Sequence, residues 1–590
     1  MFRICTGLAY LIIGLPGLIG RAQDSTNVAD QRLEAFFQQH LEECFRMRPT
    51  EATMLGDHRF DHLLDDISPE ARDGWLEHWH RQLQRLTEEF GHAEFSPDGQ
   101  INFEILRDDL ERSIWMAENF SPFQEDPRTY GSYINDSVYS LLTQSTLPKE
   151  KNVENAIARI QEIPRIVAVA RQTLTSPPKP ILETGILQNR GAIGFYQKGV
   201  FELVGNTTQL AVLRQACNAA VQALETHQEF LESELRSKAN DNWRIGPDRF
   251  ARKLEMTLDA GWDAEQVLRE AEQEFVRVQG DLYVVARQLW SHYYPKRPLP
   301  ADDEMGRRST ISQVIQAVGQ EHGQPESLIL DARDTVHSIQ EFIADYDILR
   351  LPEVDRCQVI EMPEFRRGNS LAYLDSALPL DPNGFSYYAV SPPPAIWGEE
   401  KVRSFLEEYN RHMLQILTIH EAYPGHYVQL EYSNRCPSLI RRVLQSGVFI
   451  EGWAVYTEQM MLDQGYGEGD LALRLNQLKF YLRAVANAIL DYKMHCTEFS
   501  DDQALSFLVD DAYQSEGEAL LKIVRAKQTS VQLSTYFVGR MAHYRLRQQV
   551  QRELGEKFDL GRFHEAVLAH GSVPVKFLPD LVRHRLAQPR

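Results

Sequence analysis

Two imidazoles and a carboxylate fall within seven residues in the stretch Leu417-Thr418-Ile419-His420-Glu421-Ala422-Tyr423-Pro424-Gly425-His426-Tyr427. These residue types at close spacing suit a metal site. Neutral imidazole nitrogens hold a cation such as zinc, and a carboxylate takes a proton from water beside it. In the familiar metallohydrolase pattern the histidines lie four apart and project from one helix face. Here they lie six apart, and at about 100° per residue the second ring is rotated roughly 120° from the first. A regular helix therefore aims the rings apart. Pro424 has no N–H to give the carbonyl of His420, and Gly425 tolerates almost any φ/ψ, so a wide turn or bulge there would return His426 to the side of His420. The alternative is a helix that ends at Tyr423, a Pro-Gly turn, and a His426 that begins something new with no metal.

The elements that must position these groups read as helices. Val402, Phe405, Leu406, Tyr409, Met413, Leu414, Ile416 and Leu417 recur at three- and four-residue intervals and predict an amphipathic helix that ends at His-Glu. Further on, Glu451 and Glu458 are seven apart, two turns along one helical face, where one of them can be a ligand. They are either site groups or solvated carboxylates, and Trp453, Val455 and Tyr456 beside them favour a packed segment. Asp491 and His495, four apart, are either an Asp orienting an imidazole or a plain surface contact. Arg483, two turns earlier, either clamps a carboxylate or faces water. Tyr423, inside the motif, and Tyr388, upstream, are further candidates for supporting the site or touching substrate. His412, His543, His564 and His570 read as structural or surface residues. No Gly-x-Ser-x-Gly or Walker A string is present, so nucleophile-elbow and P-loop chemistries lack their usual signals.

The string His420 to His426, followed 25 residues later by Glu451-Gly452-Trp453-Ala454-Val455-Tyr456-Thr457-Glu458, resembles the bacterial family catalogued as domain of unknown function 885. So do Arg483 through Asp491 to His495, the run Gln532 to Arg540, and Phe563 to Gly571, in that order. Weaker likeness runs back towards residue 30. That family resembles the gluzincin metallopeptidases, in which two histidines and a downstream Glu bind zinc within a largely helical body. The resemblance implies one zinc ion held by His420, His426 and Glu451, with Glu458 in support or as an alternative ligand. It also implies that Tyr536 offers its phenol O–H to a developing oxyanion; from the residues alone, a buried core tyrosine is the equal alternative. Members often carry a second histidine after Pro-Gly-His. This chain has Tyr427 there, which leaves His426 as the second imidazole candidate.

The chain has 590 residues, 43% hydrophobic and 25% charged, with a net charge of −22. That composition is globular, and the acidic balance argues against nucleic acid or an anionic membrane surface as partner. Met1-Phe2-Arg3, an apolar stretch from Ile4 to Ile19, and Gly20-Arg21-Ala22 predict an export signal cleaved near Ala22, with a periplasmic or extracellular destination. An uncleaved anchor or a chance apolar start is the alternative. Beyond this leader remain Cys44, Cys217, Cys357, Cys436 and Cys496, too few and too scattered for a disulfide framework.

In chain order, two or three helices are expected over 28–90, another over 101–119, a loop over 120–133, and a helix over 148–173. Ser176-Pro177-Pro178-Lys179-Pro180 is a stiff connection, either a boundary or an internal loop. Helices are expected over 181–236, with a break near Gly205, and over 247–293, followed by a second linker at 294–300. Short β-type runs at Val359 to Met362 and Phe385 to Val390 predict a small sheet over 355–395, beside the cleft. An edge strand there would pair with an extended substrate, or the sheet is a plain hairpin. The rest is helical. The fold expected is mostly α: residues 1–22 a signal, and 23–590 one metallopeptidase-like helical body. Sub-domain boundaries are possible near 174–181 and 294–308, and the metal site lies in 400–545.

Together these readings describe an exported zinc-dependent hydrolase that cleaves peptide or small amide bonds by metal-activated water, with Glu421 as base. The rivals are a metal-dependent amidase or esterase on non-peptide substrates, and a catalytically inactive binding protein. Oligomeric state stays open.

Overall fold

The computed structural model describes residues 27–362, 372–381, 383–394 and 397–588; the expected export signal lies outside them. The chain is mostly α with one small sheet, as its periodicities require. Helix starts follow their capping residues: Ser68 accepts from Ala71 N–H ahead of Pro69–Glu89, and Ser96 from Gly99 N–H ahead of Pro97–Asn119. The second helix therefore begins four residues before its apolar pattern does. The segment expected as a loop at 120–133 is instead short helical pieces, Pro122–Glu125 and Thr129–Gly131, continued by a π-turn over Ser132–Asp136. Tyr130 and Ile134, buried in this segment, supply tertiary contacts that override its Pro and Gly content.

The helices expected over 247–293 are Pro247–Leu258 and Ala264–Tyr293. Asp259 ends the first in the left-handed region at φ 42° and Asp263 caps the second. At the Pro-rich connection, Asn240 N–H donates to Pro177 O at 3.0 Å and Lys179 N–H to Asn240 O at 2.8 Å. Among the described residues the buried apolar side chains form two clusters. A smaller one draws on residues between Leu64 and Leu235, and a larger one spans the N-terminal helices and everything from Phe250 onward. No helix among the described residues is long and apolar enough to cross a membrane.

Among the described residues the sheet has three strands, β1 (Cys357–Glu361), β2 (Ala372–Asp375) and β3 (Ser386–Val390), in the order β1-β3-β2. β1 pairs parallel with β3, so the two expected runs are not a hairpin; β2, which no expectation included, pairs antiparallel with β3. Fully buried Tyr388 of β3 lies with its hydroxyl 3.0 Å from Thr418 Oγ1, tying the sheet to the Arg411–Glu421 helix.

Behind that helix, Gly447–Asp463 packs closely on Thr535–Leu554. Their approach is set by facing glycines: a Cβ on Gly452 would lie 2.3 Å from the carbonyl carbon of Gly539, and one on Gly539 would lie 2.0 Å from Val448 O. No larger residue fits at either position.

Candidate metal centre

The Arg411–Glu421 helix starts at Asn410, whose side chain accepts from the N–H groups of His412 and Met413, and it delivers His420 and Glu421 at its last turn. It ends at Glu421. Thr418 O then accepts from both Ala422 N–H (3.0 Å) and Tyr423 N–H (3.2 Å), and Gly425 N–H reaches back to Ile419 O at 3.0 Å. A new helix, His426–Asn434, begins at once. Both sequence readings are thus partly right: the helix does stop and His426 does start another, yet the turn is wide enough to set the two rings edge to face, 4.7 Å between centroids at 85°. Gly425 is required here because a Cβ would fall 1.9 Å from His420 O. Trp453 Nε1–H donates to Pro424 O at 2.8 Å and fastens the turn to the Gly447–Asp463 helix.

That helix supplies both carboxylates. Glu458 lies fully buried with Oε1 2.7 Å from His420 Nδ1, which leaves His420 Nε2 facing Glu451 Oε2 at 3.8 Å. His426 Nε2 is 3.5 Å from the same oxygen. The candidate ligand atoms of His420, His426 and Glu451 all lie within 4.8 Å of one another. Glu451 Oε2 is buried without a hydrogen-bond partner, although two imidazoles face it. Two imidazoles and one carboxylate around an unsatisfied buried oxygen fit the donor set and spacing that zinc takes in a three-ligand site. Glu458 behind His420 stands where a carboxylate orients a ligating ring.

The electrostatics of His420 and Glu421 agree with those roles, while Glu451 holds His426 toward its protonated form. Burial, with the neighbouring His426, lowers the His420 pKa to about 3, so this ring is neutral and its lone pair free at ordinary pH. Burial also lowers His426, but Glu451 outweighs it and holds the ring above its usual value. Burial raises the Glu421 carboxyl to about 7, against the pull of His426 and with the push of Glu451; the N–H of Leu374 on β2 donates to it. A carboxyl near neutrality is suited to accept and return a proton.

Tyr536 is half-buried at the start of the Thr535–Leu554 helix, and its hydroxyl accepts from Arg525 Nη2 (3.2 Å) and Gln532 Nε2 (3.3 Å). Burial raises its pKa and the Glu451 carboxylate raises it further, so the phenol is neutral and can donate. Asp491 and His495 do not pair, contrary to the helical-face reading. Asp491 accepts from Val531 N–H (3.0 Å) and Ser534 Oγ–H (2.9 Å), while His495 Nε2 lies 2.9 Å from both Ala526 O and Thr529 O. Their spacing made a mutual contact possible, but the polar backbone of the 526–534 turn competes for both. Together they brace that turn, in which Val531 sits at φ 73°, and so fix where Tyr536 begins.

Arg483 does not stand free as a clamp: it pairs with Glu518 at 2.8 Å, which also accepts from Tyr409 at 2.7 Å. Tyr423 is 1% exposed and donates to Asp355 at 2.6 Å, and Tyr388 is 0% exposed. Both therefore support the turn and the helix and cannot reach a substrate.

Two groups were missed. Arg525 donates to Gln532 Oε1 at 2.7 Å and to Tyr536, and Lys522 lies one turn before it, 5% exposed; among the described residues neither makes an ion pair. Glu518, Lys522 and Arg525 at intervals of four and three do share one helical face, but such a run of charges ordinarily reads as solvated. Phe480, T-shaped against His420 at 5.8 Å, was also unmarked.

A model of the family described as "Bacterial protein of unknown function (DUF885)" matches residues 49–582. Among solved structures, a candidate lipoprotein of unknown function from Shewanella oneidensis is 30% identical, with a TM-score of 0.79 over 93% of this chain and 99% of its own. A candidate lipoprotein from Colwellia psychrerythraea is 19% identical, with a TM-score of 0.78 over 95% and 100%, which shows a shared fold. No curated protein matches.

Proposed function

The chain belongs to the bacterial DUF885 family, and from that premise and the geometry we propose that it is a zinc-dependent hydrolase acting on peptide bonds. The observation that carries this reading is Glu451 Oε2, buried and unsatisfied between His420 and His426. His420, His426 and Glu451 would hold the ion. When bound, zinc supplies Lewis acidity that activates water and polarises a carbonyl. Glu421 takes the proton from the attacking water and returns it to the leaving amine, a role its near-neutral pKa supports. Tyr536 donates its O–H to the oxygen on which negative charge develops. Glu458 holds the His420 ring in register. Arg525, beside the Tyr536 hydroxyl and in no ion pair among the described residues, offers a bidentate partner for a substrate carboxylate.

Export to the cell envelope belongs to the same proposal. The apolar N-terminal stretch supports it, as do the two similar structures described as candidate lipoproteins.

The test is metal analysis of the purified protein together with digestion of an unblocked peptide library, before and after chelation. Bound zinc and cleavage that chelator abolishes and zinc restores are expected. Cleavage confined to acylated small molecules would move the substrate class to non-peptide amides or esters. Absence of both metal and turnover, with none restored by added zinc, would leave a binding protein.

A further inference from the structure

Outside the set His420, His426, Glu451 and Glu458, three potential ligands meet in the N-terminal helices. His40 and Cys44 lie one turn apart on Val28–Met47, and His78 reaches them from Pro69–Glu89. Cys44 Sγ is 3.8 Å from His40 Nδ1, 3.6 Å from Nε2 of the same ring and 3.7 Å from His78 Nε2, and His40 Nδ1 and His78 Nε2 are 3.1 Å apart. All three residues are buried, at 5%, 6% and 1% exposure for Cys44, His40 and His78, and Cys44 is in no disulfide. The triangle of Cys44 Sγ, His40 Nδ1 and His78 Nε2 has its centre about 2.1 Å from each corner, within the zinc–nitrogen and zinc–sulfur bonding range of about 2.0–2.3 Å.

Beside His78 stand one carboxylate and one guanidinium. Behind His78, Nδ1 lies 3.5 Å from Glu43 Oε2, the position of a carboxylate that orients a ligating imidazole. Gln82 Nε2 donates to that carboxylate at 2.9 Å, whereas Arg81 Nη2, a donor 3.4 Å from the same Nδ1, competes with it.

We propose that His40, Cys44 and His78 form a second, thiolate-containing site for a divalent cation of the zinc type, clamping the Val28–Met47 helix to the Pro69–Glu89 helix. On binding, the Cys44 S–H bond breaks, the sulfur–metal bond forms, and one proton goes to solvent. The competing arrangement is a hydrogen-bonded trio in which one ring N–H donates to the other ring.

Full-length protein stripped with chelator and titrated with cobalt(II) separates the two. The set His420, His426, Glu451 and Glu458 contains no sulfur, so a thiolate-to-cobalt charge-transfer band that is lost in Cys44→Ser reports on the proposed site, whatever becomes of the catalytic reading. The expected result is a band that saturates at one equivalent per chain, persists in His420→Ala, and vanishes in Cys44→Ser with one equivalent of metal lost. Folded wild-type protein that develops no such band overturns the proposal, as does a band that survives in Cys44→Ser. Because the wild-type measurement decides the first outcome, a Cys44 variant that fails to fold does not shelter the idea.

Discussion

Glu458 Oε1 and His420 Nδ1 lie 2.7 Å apart with both side chains buried, although 38 residues separate them in the chain. The pair shares one proton, and a cation at Nε2 would fix that proton on Nδ1 with Glu458 accepting. Replacing Glu458 by Ala leaves the ring free to turn. Zinc affinity is expected to fall about 10–100-fold, as read by competition with a chromophoric chelator. Unchanged affinity would show that the pair has only a packing role.

Glu421→Gln removes the proposed proton acceptor while keeping the side chain's shape. Turnover is expected to drop on the order of 10²–10⁴-fold with metal content unchanged, whereas His420→Ala loses both. Full activity in Glu421→Gln would remove this residue from the mechanism.

Gly425→Ala places a Cβ 1.9 Å from His420 O and 2.3 Å from Ile419 O, so the turn must open. The variant is expected to keep its helical circular-dichroism signal but to lose stability on the order of 1–3 kcal/mol and most of its bound metal. Retention of wild-type metal content would mean the two imidazoles do not depend on this turn.

Arg525→Ala is expected to raise KM at least tenfold for substrates with a free carboxylate and to leave blocked ones nearly unaffected, since it deletes a bidentate partner and not a reacting group. Tyr536→Phe should lower kcat for both classes about 10²-fold or more. Equal effects of Arg525→Ala on the two substrate classes would argue against carboxylate recognition.

His58 bridges two carboxylates, Nδ1 to Asp61 Oδ2 at 2.9 Å and Nε2 to Asp381 Oδ2 at 3.0 Å. The Asp61 hydrogen bond, joined by Asp381 and opposed by burial, raises its pKa from 6.5 to about 8. Because the folded value is the higher, the stabilisation is complete below pH 6.5 and is lost as the pH rises through 8. Urea unfolding at pH 6 and pH 9 should differ by about 1 kcal/mol more in wild type than in His58→Ala. An identical pH dependence in the two proteins would count against the bridge.

Much of the fold was legible because local rules govern it. The Arg411–Glu421 helix shows its buried stripe and its Asn410 cap, and β3 shows its aromatic, β-branched run. The short strand Ala372–Asp375 was not legible, since four residues carry no periodicity and the strand exists through its pairing with β3. Asp491 and His495 show the limit of face arguments. Being four apart places two side chains near each other, but it does not say that the backbone at 526–534 will claim both.

By itself the sequence determined the donor types, their order along the chain, the helical character around them and the family. Side-chain chemistry and periodicity are properties of neighbouring residues, so these could be read directly. Only the tertiary structure decided that the Pro424-Gly425 turn folds His426 back onto His420, that Glu451 faces both rings while Glu458 holds one from behind, and that Arg525 reaches Tyr536. A helical repeat fixes where a side chain points relative to its own axis. Where two axes come together depends on long-range packing, here the contact of Gly452 with Gly539 and the Trp453 bond to Pro424.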